Sequence, residues 1–382
     1  MLCMLHESLS MSRKPRLLVV DDETANLQKL HRTFVNDFRV WQAKTGEEAT
    51  TLLQGQPFDV IITDQRMPGM SGVDLLRHSL DSSPTAVRII LTGYTEVEDL
   101  MMAINEGQVD RYVTKPWEPF SLRRTVIQDV EHRDLRRENQ VLTEQLRIAE
   151  EVQAQLFPQV LPVVEHLDYQ GVCIPARAVG GDYYDFLQLS PGRLWLAVGD
   201  ISGKGISAAL LMANLQALLR SHVPFHGDEL GALVGDVNRL LHQTTDSAKF
   251  ATLFCGVFDS ATRELNYVNA GHCSPILHRP GQEVEFLQPT GTIVGMFEEV
   301  EFGRRSIELR TGDTLVVYTD GITEAANSDW EEFGEERLAG VVSRHAQLPP
   351  VDLSHCILEQ VGAHSGRATQ QDDLTLVVAR VQ

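Results

Sequence analysis

The chain has 382 residues, 33 Lys and Arg against 53 Asp and Glu, a formal charge of −20 and an apolar fraction of 43%. At about 100–200 residues per domain, that length carries two or three domains with hydrophobic cores of their own. The acid surplus repels polyanions, and Arg123, Arg124, Arg133, Arg136 and Arg137 alternate with Asp129, Glu131, Asp134 and Glu138, so nucleic acid and anionic membranes are excluded as primary partners. The five cysteines lack CxxC spacing, which argues against a disulfide framework or a zinc site and for a reducing, cytoplasmic setting. No apolar run approaches the ~18–20 residues that span a bilayer. Residues 1–15 read as a disordered extension in which Met11 is a second candidate start.

From Arg16 to about Pro119, short apolar runs alternate with amphipathic stretches. The runs are RLLVV (16–20), FRVWQA (38–43), DVIITD (59–64), AVRIILT (86–92) and RYVT (111–114), and helical patterns such as TANLQKLHRTFV and EVEDLMMAINEG lie between them. Five such repeats predict an α/β domain over 16–120, a doubly wound, five-stranded parallel sheet. In that architecture function gathers at the carboxyl ends of the strands. Asp21 and Asp22 follow the first strand, Asp64 ends the third, Thr92 the fourth, and Lys115 follows the fifth. Three carboxylates converging there repel one another unless a hard divalent cation joins them, and Mg²⁺ is the natural candidate for an oxygen site.

The motifs VVDDE, TDQRMPGMSG, LTGY and VTKPW resemble the receiver domain of two-component response regulators. The resemblance implies that Asp64 accepts a phosphoryl group from a sensor histidine kinase, that Asp21 and Asp22 hold Mg²⁺ with Asp64, and that Lys115 pairs with the phosphoryl oxygens. It makes Thr92 and Tyr112 the switch pair and the Lys115–Pro116 bond cis.

Residues 121–160 form a separate segment rich in Arg, Glu, Gln and Leu. Leu135, Leu142, Ala149 and Leu156 recur every seven residues, with Asn139, Leu146 and Gln153 between them, which predicts a long linker helix with a weak coiled-coil seam and a homodimer formed through it. The alternative is a single solvent-exposed connecting helix.

Residues 161–382 are of mixed type. Strand patterns (RLWLAVGD, FATLFCGVFD, ELNYVNAGH, DTLVVYTDG, DLTLVVARV) flank two helical ones (SAALLMANLQALLRSH, ELGALVGDVNRLLHQT), which predicts an α+β domain, an α-β-β-α sandwich with antiparallel sheets. Asp182 and Asp185 in VGGDYYD, Asp200 in VGDISGKG, Asp320 in YTDGITEA and Asp372 and Asp373 in QDDLT each lie at a strand end or turn. Carboxylates without His or Cys partners favour Mg²⁺ or Mn²⁺ over zinc. Two such ions about 3.5–4 Å apart activate a water for in-line displacement at phosphorus.

With NAGH (269–272), these motifs resemble the bacterial type 2C-like serine/threonine phosphatases of the stage II sporulation E type, over about residues 165–382. The resemblance implies that Asp200 bridges two Mg²⁺ or Mn²⁺ ions, that Asp182 and the Ile201 carbonyl complete one coordination sphere, and that Asp320 and Asp372 bind the second ion, with Asp373 the alternative to Asp372. Asp185 is a group behind the ligands or a surface acid. His272 is either a general acid or a structural turn residue, and Arg177 is the one candidate phosphate clamp. Lys204 stands where relatives often carry His. The implied function is a phosphatase acting on phosphoserine or phosphothreonine of an anti-sigma factor antagonist of the STAS type, under control of Asp64. The competing reading is a non-enzymatic adaptor that sequesters or delivers a sigma-factor-pathway protein. No segment offers a helix-turn-helix on a basic surface, which excludes a DNA-binding output.

Overall fold

The computed structural model describes residues 14–93, 109–227, 229–245 and 249–382. The helical pattern at 96–107 and the first 13 residues lie outside the described residues. The chain divides into two compact units, 1–143 and 144–382.

In the first unit, β1 (Arg16–Val20), β2 (Arg39–Ala43), β3 (Val60–Asp64), β4 (Val87–Thr92) and β5 (Arg111–Thr114) pair in the order β2-β1-β3-β4-β5, all parallel. The continuous apolar runs are explained by burial on both faces. Leu17 and Val19 pack with α1 (Thr24–Phe34), whereas Leu18 and Val20 pack with α2 (Gly46–Gly55) and α3 (Gly72–Ser82). The helix starts carry their own signals. The hydroxyls of Thr45 and Ser71 accept the amides of Glu48 and Asp74 at 3.2 Å each.

The helix α4 (Pro119–Ala154) opens with Pro at its first position, and the Glu118 carboxylate accepts the amides of Phe120 and Ser121. Leu122, Val126 and Val130 bury against the parallel sheet, while Leu135 and Leu142 are exposed. The end of the seam departs from the heptad expectation. Gln153 is buried, donating to the Gly180 carbonyl at 2.8 Å and accepting its amide at 3.0 Å, and Leu156 packs into the core of the second unit. A polar side chain that satisfies both backbone groups of a buried glycine is a clip, not part of a helix–helix seam.

The second unit contains two antiparallel sheets. One has the order β13-β10-β9-β8-β7, from β7 (Tyr183–Ser190), β8 (Arg193–Ile201), β9 (Ala251–Asp259), β10 (Glu264–Ala270) and β13 (Arg305–Glu308). The other has the order β12-β11-β14-β15-β6, from β6 (Leu167–Ile174), β11 (Ile276–His278), β12 (Glu285–Phe286), β14 (Thr314–Tyr318) and β15 (Leu374–Val381). Alternate residues of both sheets, among them Leu196, Phe254, Val317 and Val377, meet in a shared core. Helices α5 (Ile206–His226) and α6 (Leu230–Thr244) cover the first sheet. The second sheet is covered by α8 (Gly334–His345) and α9 (Pro350–Ser365), which follow the single-turn α7 (Asp320–Thr323). The α-β-β-α sandwich is as expected. The strands β6, β7 and β11–β13 and the helices α7–α9 were not legible. In β6, Gly171 interrupts the strand pattern because a Cβ there would lie 2.3 Å from the Tyr184 ring. No described helix is long and apolar enough to cross a membrane.

Candidate functional site

At the carboxyl edge of the parallel sheet, Asp21, Asp22 and Asp64 bring carboxylate oxygens within 4.8 Å of one another. Asp21 is fully buried, its Oδ1 accepting the Glu23 amide at 2.9 Å and the Asn26 amide nitrogen at 3.1 Å. Lys115 Nζ lies 2.8 Å from Asp64 and 3.2 Å from Asp21, and the Lys115–Pro116 peptide that follows is cis. Burial raises the Asp64 carboxyl above its ordinary range despite Lys115. Burial works against the Lys115 ammonium, but Asp64 and Asp21 outweigh it and hold its pKa above the usual value. One lysine thus meets two of three clustered carboxylates, an arrangement that fits a divalent cation. Thr92 is buried one strand away, and Tyr112, on β5, is 38% exposed. Asn26, which positions Asp21, escaped the sequence reading because an Asn in the first turn of a helix looks like an ordinary cap.

The second cluster forms where the ends of β8 and β14 meet the turns before β7 and β15. The Asp182 carboxylate is buried and accepts the Thr319 hydroxyl at 2.7 Å. Thr319 occupies the N-cap of α7 without capping it, having given its hydroxyl to Asp182 instead, and the signal that would have found it is the threonine of YTDG. Burial, and then Asp200, drive the Asp182 carboxyl well above its usual range. Asp200 is raised to about 7 by burial and by Asp320, Asp372 and Asp373. Asp320 is raised by burial and by Asp372. A Cβ on Gly181 would lie 3.0 Å from the Ile201 carbonyl oxygen, which brings that carbonyl to the Asp182 turn. Lys204 is a counter-charge to these acids: its Nζ lies 2.7 Å from Asp372 and donates to the Gln371 carbonyl at 2.7 Å. Among the described residues, the only three acids whose carboxylate oxygens all lie within 4.8 Å of one another are Asp21, Asp22 and Asp64; Asp182, Asp200, Asp320 and Asp372 are not drawn together to that distance. All-carboxylate donors with raised proton affinity fit Mg²⁺ or Mn²⁺.

Asp372 and Asp373 differ sharply. Asp373 is buried, and its oxygens accept the amides of Ala176 at 2.7 Å, Gly181 at 2.7 Å and Asp182 at 3.4 Å. The Asp372 side chain is 33% exposed and faces Lys204. Asp185 lies apart from the cluster, with a bidentate pair to Arg220 (2.7 and 2.9 Å) and the Tyr183 hydroxyl at 2.7 Å. His272 is buried beside Thr252 at 2.8 Å, and burial lowers its pKa to about 4, which leaves it neutral. Arg177 is exposed near Gly205, where a Cβ would lie 3.6 Å from its guanidinium.

Residues 190–382 match the family model described as stage II sporulation protein E, and residues 17–127 match the response regulator receiver domain. The chain is 29% identical over 263 residues to protein IcfG of Synechocystis, covering 61% of this chain but only 41% of that protein. It is 30% identical over 259 residues to the phosphoserine phosphatase RsbU of Bacillus subtilis, covering 65% of this chain and 74% of RsbU. The SiaA-PP2C domain of Pseudomonas aeruginosa shares the fold of the second unit, with a TM-score of 0.57 at 21% identity over 64% of this chain and 99% of that domain.

Proposed function

Because the chain belongs to the stage II sporulation protein E family, through residues 190–382, we propose that it is a receiver-controlled, divalent-metal-dependent protein serine/threonine phosphatase acting in the cytoplasm. The observation that carries this is a set of mutually repelling carboxylates, the buried Asp182 and the half-buried Asp200 and Asp320, with Lys204 paired to Asp372 beside them. A scaffold gains nothing from that cost, whereas a site for two cations requires it.

Asp182, Asp200 and the Ile201 carbonyl would hold one Mg²⁺ or Mn²⁺, and Asp200, Asp320 and Asp372 the second. The bound pair supplies an acidified water and charge stabilisation at phosphorus. The protein's own residues set the frame. Thr319 orients Asp182, and Asp373 fixes the 176–182 turn through its amide hydrogen bonds. Lys204, close to Asp372, supplies the positive charge at the mouth that a phosphoryl oxygen meets.

In the first unit Asp64 would be the phosphoacceptor for a sensor histidine kinase, with Mg²⁺ on Asp21, Asp22 and Asp64, and with Lys115, Thr92 and Tyr112 reporting the added charge. The substrate would be a phosphoserine or phosphothreonine on an anti-sigma factor antagonist of the STAS type. The exposed Leu135 and Leu142 support a homodimer through the linker helix.

The deciding measurement is Mn²⁺-dependent phosphate release from a chromogenic phosphoester. Wild type turns over, and Asp200→Ala and Asp320→Ala each lose about 100-fold or more. Equal background rates in all three would favour the adaptor instead.

A further inference from the structure

Beside the second cluster an apolar cleft of about 280 Å³ opens from Lys204 and Asp372, walled by Ile174, Ala326, Leu358 and Ala368. Its volume lies just under the ~300–1,000 Å³ that enclose drug-sized ligands, so it suits one side chain. Ile174 ends β6 and is 39% exposed, an apolar side chain left open toward the cleft although it sits at the end of a core strand. The Gln370 carboxamide donates to the Ile174 carbonyl at 2.9 Å and to the Asp372 carbonyl at 2.8 Å, tying the apolar wall to the carboxylate loop. One end of the cleft thus carries the Lys204–Asp372 ion pair and Glu324 and adjoins the carboxylates, while the other is apolar. Past Ala326 the chain turns back through the Ala326–Glu332 bridge, and there Trp330 is 81% exposed with φ 64°. Exposed tryptophan is characteristic of the anchors at protein interfaces.

We propose that this cleft receives an apolar side chain next to the phosphoserine of a protein substrate, so that it selects the peptide segment whose phosphate reaches the carboxylates. The occupant follows from the continuity of the two parts. The phosphate lies at the Lys204 end, and the residue beside it falls within reach of Ile174 and Leu358. The inference rests on the phosphatase reading above, and the test separates the two.

Two phosphoserine peptides of equal length serve as probes, one with leucine on both sides of the phosphoserine and one with aspartate at those positions. A small chromogenic phosphoester, too short to enter the cleft, serves as the control. The variants are Ile174→Glu, which places a charge at an already exposed position, and Ala368→Trp, which fills the cleft from a loop. Wild type is expected to prefer the leucine peptide by about 10-fold or more in kcat/KM, the discrimination typical of one apolar group in a pocket. Both variants are expected to bring that ratio to within about twofold of unity, through KM, while turnover of the chromogenic ester stays within twofold of wild type. Equal kcat/KM for the two peptides in wild type, or a preference that survives in both variants, overturns the cleft's role. Failure of wild type to hydrolyse the chromogenic ester overturns the phosphatase reading itself.

Discussion

Two adjacent aspartates, Asp372 and Asp373, illustrate how little residue type says without a partner list. Asp373 accepts three amides from the 176–182 turn, so Asp373→Asn places an NH₂ group against an N–H and should cost about 2–3 kcal/mol of stability. Asp372→Asn, at a side chain 33% exposed, should leave stability within about 0.5 kcal/mol and instead depress Mn²⁺-dependent turnover. Urea midpoints and rates on both variants check the pair, and the reverse pattern would exchange the two roles. His272 gives a pH signature. Its folded pKa of about 4 lies below the ordinary 6.5, so below pH 6.5 the unfolded chain takes up a proton that the folded imidazole refuses. Stability from this group is therefore full above pH 6.5 and falls as the pH drops toward 4. Asp182 and Asp200, raised rather than lowered, act in the opposite direction, so the comparison must be between wild type and His272→Gln. Between pH 7.5 and 5.5 the variant's deficit in unfolding free energy should shrink by about 1–1.5 kcal/mol, and a constant deficit would refute the assignment.

At the scale of elements, the first unit was read almost strand for strand, because parallel strands buried on both faces appear as uninterrupted apolar runs. The second unit was half legible. Strands β8, β9, β10, β14 and β15 and two helices were recovered, while β6 and β7 were not, and α9 was missed because its core residues Leu353, Ile357 and Val361 are set among Ser, His, Gln and Gly. Asp185, read from the sequence as a group behind the ligands or a surface acid, is the buried end of a staple between β7 and α5, through Arg220. Arg220→Ala leaves that carboxylate buried and unpaired, which should lower stability by about 3 kcal/mol or more. Chemical denaturation checks this, and a loss below about 1 kcal/mol would mean that water replaces the guanidinium. Gly321 is demanded by packing, since a Cβ there would lie 2.0 Å from the Asp373 carbonyl oxygen. The DG of YTDG is therefore a joint between α7 and the strand after QDD as much as a ligand motif.

For the molecule as a whole, the prediction concerns coupling. Phosphorylation of Asp64 should change phosphatase turnover, so wild type given a small-molecule phosphodonor and Mg²⁺ should differ from the same protein without it, whereas Asp64→Ala should not respond. Identical rates in all cases would mean that the two units do not communicate. The formal charge of −20 acquires local meaning at this scale. Asp21, Asp22 and Asp64 form one concentration of acid, with Lys115 against it, and Asp182, Asp200, Asp320 and Asp372 are the proposed second, with Lys204 against it. The sequence by itself determined the receiver-like α/β unit, the mixed sandwich and the motifs that carry the acids, because strand periodicity and local turn chemistry are written into neighbouring residues. Only the tertiary structure decided which of two adjacent aspartates is structural, that Thr319 serves Asp182 instead of its own helix, that Gln153 clips Gly180, and that an apolar cleft adjoins Lys204. Each of those rests on contacts between residues more than twenty positions apart, or on which oxygen meets which amide, and burial and hydrogen-bond geometry at that range are properties of the folded chain alone.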